Sequence, residues 1–439
     1  MPTYVIKGGT PLYGSVRVGG AKNASYKLMI AALLGDSESR ILNFSRISDV
    51  ALVAKLINSL GAHSSEVGER AYTVNPSSLS SHSIDKEHGD ASRASTLFLP
   101  ILLSRFGEAV VPLPGGDKIG KRPLERHFDG LKALGVDLEV KDGMIWAKTK
   151  GMRGTSYRFE KNTHTGTETL ILAAVKAKGL TILENAAAET EIDDLITFLN
   201  QMGAKIRRRP GRIIEIVGVG TLHGAIHQIM PDQNQVVSFA VAALATKGDI
   251  VVENANAADL HAFLQQLENT GAGYDIGDYG IRFFYKGQLK GTQVTTAIHP
   301  GFKTDWQPLW VALMTQAKGE STVHETIQQR RFQYVKSLRE MGAEIEMFNP
   351  KVDNLDETYN FNVAEDSHTD FHAVKIIGPS KLAGGEFTVE DLRHGATLMI
   401  AGMAATGETT LHDPKDHIGR GYEKLDEQFN LMGAQITKI

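Results

Sequence analysis

Six stretches of the chain are apolar on nearly every side: KNASYKLMIAALL (22–34), SRASTLFLPILL (92–103), GTETLILAAVKA (166–177), QVVSFAVAALA (235–245), WQPLWVALMTQA (306–317) and LRHGATLMIAGMA (392–404). A helix lying on a surface keeps one polar face, so these patterns predict helices buried inside domains. A second phrase recurs between them, in INSLGAHSSEV (57–67), LKALGVDLEV (131–140), FLNQMGAKIRR (198–208), LENTGAGYDI (267–276), LREMGAEIEMF (338–348) and FNLMGAQITKI (429–439). Each copy has apolar residues at helical spacing, then a glycine, then a short alternating run. That pattern predicts a helix ending in the left-handed conformation and turning into a strand.

The marker glycines are Gly61, Gly135, Gly203, Gly271, Gly342 and Gly433. A third phrase lies between helix and corner: KGLTILENA (178–186), KGDIVVENA (247–255), KGESTVHET (318–326), TGETTLHDP (406–414) and, more loosely, FGEAVVPLP (106–114). It predicts a β-branched strand that starts after glycine and ends in Asn, His or Asp. The unit is therefore helix, strand, helix, strand, written six times in an α/β chain. Solenoid repeats run to roughly 20–50 residues, whereas these markers stand about 68 to 91 residues apart. Closed domains of three units each fit better. The border falls near GTLHGAIHQIMPDQ (220–233), with the first strand, YVIKGGTPLYGSVRV, free to complete the other domain.

Composition narrows the function classes. Hydrophobic residues at 42% and charged residues at 22% describe a globular chain, and a formal charge of -4 gives no global reason to expect nucleic acid or an acidic membrane. Anion binding must then be local. There are no cysteines, which excludes disulfides, thiolate nucleophiles and thiolate-ligated zinc. The N-terminus has neither a basic n-region nor an apolar h-region, and no apolar run is long enough to span a membrane, so the expected setting is cytoplasmic. His368 and His372 in HTDFH lack an HExxH-type ligand set and read better as a solvated loop than as a metal site.

Charged or polar residues crowd the starts of the apolar helices: Lys22 and Asn23; Arg93; His164, Thr165 and Glu168; Asp232; Asp305; Asp391 and Arg393. Helix N-termini attract anions through free N–H groups and the helix dipole. Singly, each residue is better read as an ordinary cap or solvated end; six helices with the same habit shift the balance towards anion sites. PLPGGDKIGKRP (112–123) is glycine-rich and carries Asp117, Lys118, Lys121 and Arg122, which suits either a lid over an anionic substrate or a plain connection. It lacks the GKS or GKT ending of a phosphate-binding P-loop. HIGRGYEKL (417–425) sets Arg420 between glycines, and QQRRF (328–332) offers Arg330 and Arg331.

Taken together, GGAKNASYKLMIAALL (19–34), SRAS (92–95), PGGDKIGKRP (114–123), PGFKTDW (300–306), RRFQYV (330–335), EDLRHGA (390–396) and HIGRGYE (417–423) resemble the UDP-N-acetylglucosamine 1-carboxyvinyltransferases of the enolpyruvyl transferase family. The resemblance spans essentially the whole chain. GAKNA stands where the shikimate-pathway relatives would carry a GSKS-type motif, which favours a nucleotide-sugar acceptor. The resemblance implies two inside-out α/β barrels, each of three βαβαββ repeats. The first covers 22–229 and carries the loop 112–123; the second covers 1–21 plus 230–439, with the active site in the cleft between them. It implies transfer of the enolpyruvyl group of phosphoenolpyruvate (PEP) to the 3-hydroxyl of UDP-N-acetylglucosamine, the first committed step of peptidoglycan synthesis, without metal or organic cofactor. Lys22, Arg122 and Arg420 would bind PEP, with Arg93, Arg331 and Arg393 completing the cationic site. Asn23 and Asp305 would meet the acceptor sugar, Asp305 as general base, and His164, Gly166 and Asp391 would line the substrate site. Asp117 would serve as the acid near C3 of PEP. It stands where many members have cysteine, the residue that fosfomycin alkylates, so the chain is expected to resist that inhibitor.

Four places depart from the family pattern. Gln233-Asn234-Gln235 follow Pro231-Asp232 where an Arg and a Glu are usual, and Asn162 replaces a Lys near the nucleotide. Arg330 stands where Asn is common, and Gly419 where Asp is common.

Overall fold

The computed structural model describes residues 1–89, 93–114 and 124–439, with the side chains of His88, Gly89 and Arg93 not among what is described. Two compact units divide the chain. One consists of Met1–Gly19 and Pro231–Ile439, the other of the described residues between Gly20 and Met230.

In the first unit three helices, Gln233–Ala245, Gln307–Met314 and Leu392–Ala404, pack against one another. Every residue of Gln233–Ala245 and Gln307–Met314 is buried, as the absence of a polar face in their sequences requires. Three four-stranded sheets belong to this unit. Each has one parallel pair at an edge: Tyr13–Arg17 with Asp249–Glu253, Gln293–Thr295 with Gly319–His324, and Glu386–Thr388 with Glu408–His412. Each continues antiparallel into a hairpin or, in the last, into the N-terminal strand Thr3–Lys7 and then Gln435–Lys438. The N-terminal segment is thus woven into the same unit as the C-terminal half.

The second unit repeats the plan with helices Lys22–Ala32, Phe98–Phe106 and His164–Ala174. Among the described residues its three sheets have four, four and three strands. The sequence pattern sets one helix from residue 92 to 103; the structure instead has a 3-10 turn, Arg93–Leu97, followed by an α-helix from Phe98 to Phe106. The Gln307–Met314 helix is shorter than its apolar run. Pro308 lies at its start, where a missing N–H costs nothing.

All six marker glycines adopt the left-handed conformation, with φ between 80° and 103°. A Cβ there costs roughly 1–2 kcal/mol, which explains why the corner phrase keeps glycine. The asparagines that end the third phrase have a related reason. Asn185 and Asn254, and Asn43 at the same place after the strand Ser39–Leu42, have φ of 52°, 61° and 59°. Their side-chain amides donate to the carbonyls of Phe159, Val18 and Ile229 respectively. Asparagine tolerates the left-handed turn and its amide spans to a neighbouring segment, so one residue both reverses the chain and ties it down.

Candidate active site

Asp305 lies just before the Gln307–Met314 helix, next to Trp306. The Trp306 ring is buried, 5.9 Å from Phe263 and 5.5 Å from Phe302 in edge-on contacts. Such aromatic packing fixes the backbone from which the carboxylate projects. Asp305 is not a cap: the N-cap is Trp306, so the carboxylate is left for other partners. One oxygen accepts from Arg331 Nη2 at 2.6 Å and the other from Arg393 Nη2 at 2.8 Å. Both arginines are buried, with 4% and 6% of their side chains exposed, against 30% for Asp305.

Arg393 is held from three directions. It is the second residue of Leu392–Ala404, a helix capped by Asp391 Oδ1, which accepts from the backbone N–H groups of Arg393 and His394. Its Nη1 donates to the Tyr422 hydroxyl at 2.7 Å, and that hydroxyl meets Ser238 Oγ at 2.8 Å. Burial pushes the guanidinium towards neutrality, but Asp305 and Tyr422 outweigh it and hold Arg393 above the ordinary arginine range. It stays charged. Arg331 follows a turn anchored by the buried Glu325, whose Oε1 accepts from the N–H groups of Ile327 and Gln328 and whose Oε2 accepts from Thr304 Oγ1. Burial raises the Glu325 carboxyl above its usual range despite those donors. Arg420 is half-buried in the turn two residues before Tyr422.

The second unit holds the other described candidates. Lys22 Nζ is 2.9 Å from Asp49 Oδ2, and Asn23 is half-buried beside it in the first helical turn. Thr163 caps the His164–Ala174 helix through the N–H of Gly166. A Cβ on Gly166 would come within 2.4 Å of the Thr163 methyl, so the cap itself excludes any larger residue. His164 Nε2 is 3.1 Å from Glu168 Oε1 and 3.4 Å from Lys27 Nζ, and Lys27 and Glu168 form a buried ion pair at 2.7 Å. Burial alone would depress Lys27 and raise Glu168. Their mutual attraction wins, so Lys27 sits above and Glu168 below their ordinary ranges, and Glu168 likewise raises His164 against burial and Lys27.

Lys27 was not singled out from sequence, although a charge in the middle of an otherwise apolar helix is the available signal. Glu168 stands one turn after His164 and carries the same signal. The Asn162 departure has a structural use: its amide donates to the Asn185 carbonyl, and its own carbonyl accepts from Arg126. Gln233, Asn234 and Gln235 are all buried at the start of a helix capped by Asp232. Asp117 and Arg122, and the side chain of Arg93, lie outside the described residues. His372 is engaged by Asp366 at 2.6 Å. No helix among the described residues is long and apolar enough to cross a membrane.

Comparison with known proteins bears on the family of the chain as a whole. The profile of EPSP synthase (3-phosphoshikimate 1-carboxyvinyltransferase) matches residues 6–429. A protein of Halothermothrix orenii named UDP-N-acetylglucosamine 1-carboxyvinyltransferase is 36% identical over 439 residues, covering all of both chains. One of the same name from Idiomarina loihiensis is 37% identical over 440 residues, again covering all of both. Among solved structures, the enolpyruvyl transferase NikO from Streptomyces tendae superposes with a TM-score of 0.85 over 100% of this chain and 98% of its own, at 23% identity. EPSP synthase from Acinetobacter baumannii superposes with a TM-score of 0.74 at 18% identity, over the whole of both chains. At such identities the structures speak for the fold alone, a mixed α/β fold of the kind enolpyruvyl transferases have. Full-length identity joins the profile match in assigning the chain to the enolpyruvyl transferase family, among the UDP-N-acetylglucosamine 1-carboxyvinyltransferases.

Proposed function

We propose that this protein transfers the enolpyruvyl group of PEP to the 3-hydroxyl of UDP-N-acetylglucosamine and releases phosphate, opening peptidoglycan synthesis in the cytoplasm. The observation that carries the reading is the full-length identity to relatives named for that reaction. A carboxylate held between two buried guanidiniums suits its chemistry. The acceptor oxygen attacks C2 of PEP while Asp305 takes the hydroxyl proton and Asp117 gives one to C3. The resulting tetrahedral adduct carries both phosphate and sugar. Loss of a proton from C3 and of phosphate from C2 then restores the double bond. Lys22, Arg122 and Arg420 hold PEP, and Arg93, Arg331 and Arg393 complete the cationic surroundings. Asn23 meets the sugar; His164, Gly166 and Asp391 serve the substrate site, Gly166 and Asp391 by shaping helix starts.

PEP brings a phosphate and a carboxylate, both of which compete for guanidiniums. As Arg331 and Arg393 turn to it, Asp305 loses compensation and becomes the better proton acceptor at the moment the hydroxyl arrives. The finer architecture belongs to the same proposal: an inside-out α/β barrel over 22–229 and another over 1–21 plus 230–439, each of three βαβαββ repeats. Three sheets and three buried helices in each compact unit support it.

The purified protein is expected to release inorganic phosphate from PEP only when UDP-N-acetylglucosamine is present, without added metal. Release with another acceptor but not this one overturns the substrate assignment and leaves the transfer chemistry standing.

Asp117 gives a separate expectation. Alkylation of a loop thiolate by the fosfomycin epoxide has no counterpart here, because a carboxylate is a far weaker nucleophile and the chain has no cysteine. Mass spectrometry after incubation with fosfomycin and UDP-N-acetylglucosamine should detect no adduct on the native protein and a single one on Asp117→Cys. That variant should keep turnover, and Asp117→Ala should lose it. An adduct on the native chain, or full activity in Asp117→Ala, removes Asp117 from the mechanism.

A further inference from the structure

Hairpins that follow the corner glycines are short almost everywhere. His63–Glu66 returns to Ala71–Asn75, Asp137–Lys141 to Met144–Lys148, Lys205–Arg209 to Ile213–Val217, and Gly273–Gly277 to Gly280–Phe284. The exception is Glu344–Phe348, whose partner strand begins only at Ala373. The intervening residues 349–372 form an excursion with its own short helix, Leu355–Thr358, capped by Asn354, and a 3-10 turn, Val363–Glu365, capped by Asn362. Loops this long without extended secondary structure are usually functional or disordered. This one is folded down: Tyr359 and His372 are 2% exposed, Asp370 7%.

Its contacts concentrate on one short segment. The Asn360 N–H donates to the Thr326 carbonyl at 2.8 Å. Gln329 Nε2 donates to Asp366 Oδ1 at 2.8 Å, and Asp366 Oδ2 is held in turn by His372 Nε2. Arg330 pairs bidentately with Asp370, at 2.9 and 3.2 Å. Asp370 is itself fixed by the Ser367 N–H and by Asn349, which bonds its carbonyl. The next residue along is Arg331, which meets Asp305. Opposite the excursion, Glu325 ties the same turn to Thr304, the neighbour of Asp305. The departure at Arg330 thus has its described partner in this excursion.

We propose that residues 349–372 are a positioning clamp that sets Arg331, and through it the Asp305 carboxylate, by gripping Gln329 and Arg330. Asp366 and Asp370 are its positioning residues; neither touches Asp305. The clamp rests on the reading of Asp305 as general base.

Misplacing a reacting group by an ångström costs up to about 10²-fold. In Asp370→Asn, kcat should therefore fall about 10-fold to 100-fold, with the KM for UDP-N-acetylglucosamine moving less than about twofold. Asp370→Glu, which keeps the charge, should recover most of that loss. Because the clamp acts through Arg331, Asp370→Asn combined with Arg331→Lys should lose much less than the product of the single losses. Arg330→Gln, at a half-exposed side chain that folding tolerates, should repeat the kcat effect if Asp370→Asn folds poorly. An unchanged kcat in folded Asp370→Asn or Arg330→Gln, or fully multiplicative losses with Arg331→Lys, overturns the clamp. Full turnover in Asp305→Asn sinks the base assignment instead, and leaves the coupling of Asp370 to Arg331 measurable.

Discussion

Replacing Asp305 by asparagine is expected to leave a folded protein that still binds UDP-N-acetylglucosamine but turns over about 10²–10⁴-fold more slowly, the usual contribution of a positioned general base. The geometry makes this substitution unusually informative. Asparagine keeps the size, and its carbonyl still accepts from one arginine. Its NH₂ then faces the other guanidinium, donor against donor, where Asp305 now accepts from both Arg331 and Arg393. Some stability is lost for that reason, so the comparison must be of kcat at full saturation with acceptor, alongside circular dichroism and a binding isotherm for the UDP-sugar. A variant with near native turnover would show that the hydroxyl proton leaves by another route.

The parts of this site legible in the sequence are those encoded by local rules. A left-handed glycine after an apolar helix fixes a corner wherever it occurs, and apolar helices without a polar face can only be buried. Asp232 and Asp391 are caps because Asp before a helix has backbone donors within reach. Asp305, Arg331 and Arg393 were recognisable as a set by their resemblance to a family. That they form one ion cluster depends on how three distant segments pack, which no local pattern carries.

The same limit hid Lys27 and its pairing with Glu168, since the two lie far apart in sequence and meet only when their helices come together. It also hid the purpose of Arg330, whose partner Asp370 belongs to an excursion that reads as a solvated loop. Charges inside apolar helices are the signal to look for in such chains, since burial demands that each find a counter-charge.

Glu168→Gln carries the second large effect. Lys27 and Glu168 have 4% and 0% of their side chains exposed. Removing one member of such a buried pair typically costs about 3–5 kcal/mol, readable as a shift of the urea midpoint at unchanged slope. The pH dependence separates this from a generic loss. In the native protein Glu168 lies below its ordinary range, so its contribution is present above that range and fades only as pH falls through the lowered value. His164 lies above its ordinary value of about 6.5. Its contribution is complete below about pH 6.5 and fades as pH rises through the raised value, so native stability should decline on that alkaline side. Without Glu168, His164 loses the carboxylate that raises it, and Lys27 becomes a buried ammonium without its counter-charge, whose proton affinity burial depresses. Stability of the variant should then rise with pH, opposite in sign to the native protein. An apolar pair, Lys27→Met with Glu168→Leu, should restore most of the lost stability, because a buried ion pair is often matched by well-packed hydrophobic residues. If that double variant is stable but its KM for UDP-N-acetylglucosamine rises, the triad's role is to present His164 to the acceptor. A Glu168→Gln variant that loses less than about 1 kcal/mol and keeps the native pH slope would mean that the pair is no more than a solvated contact.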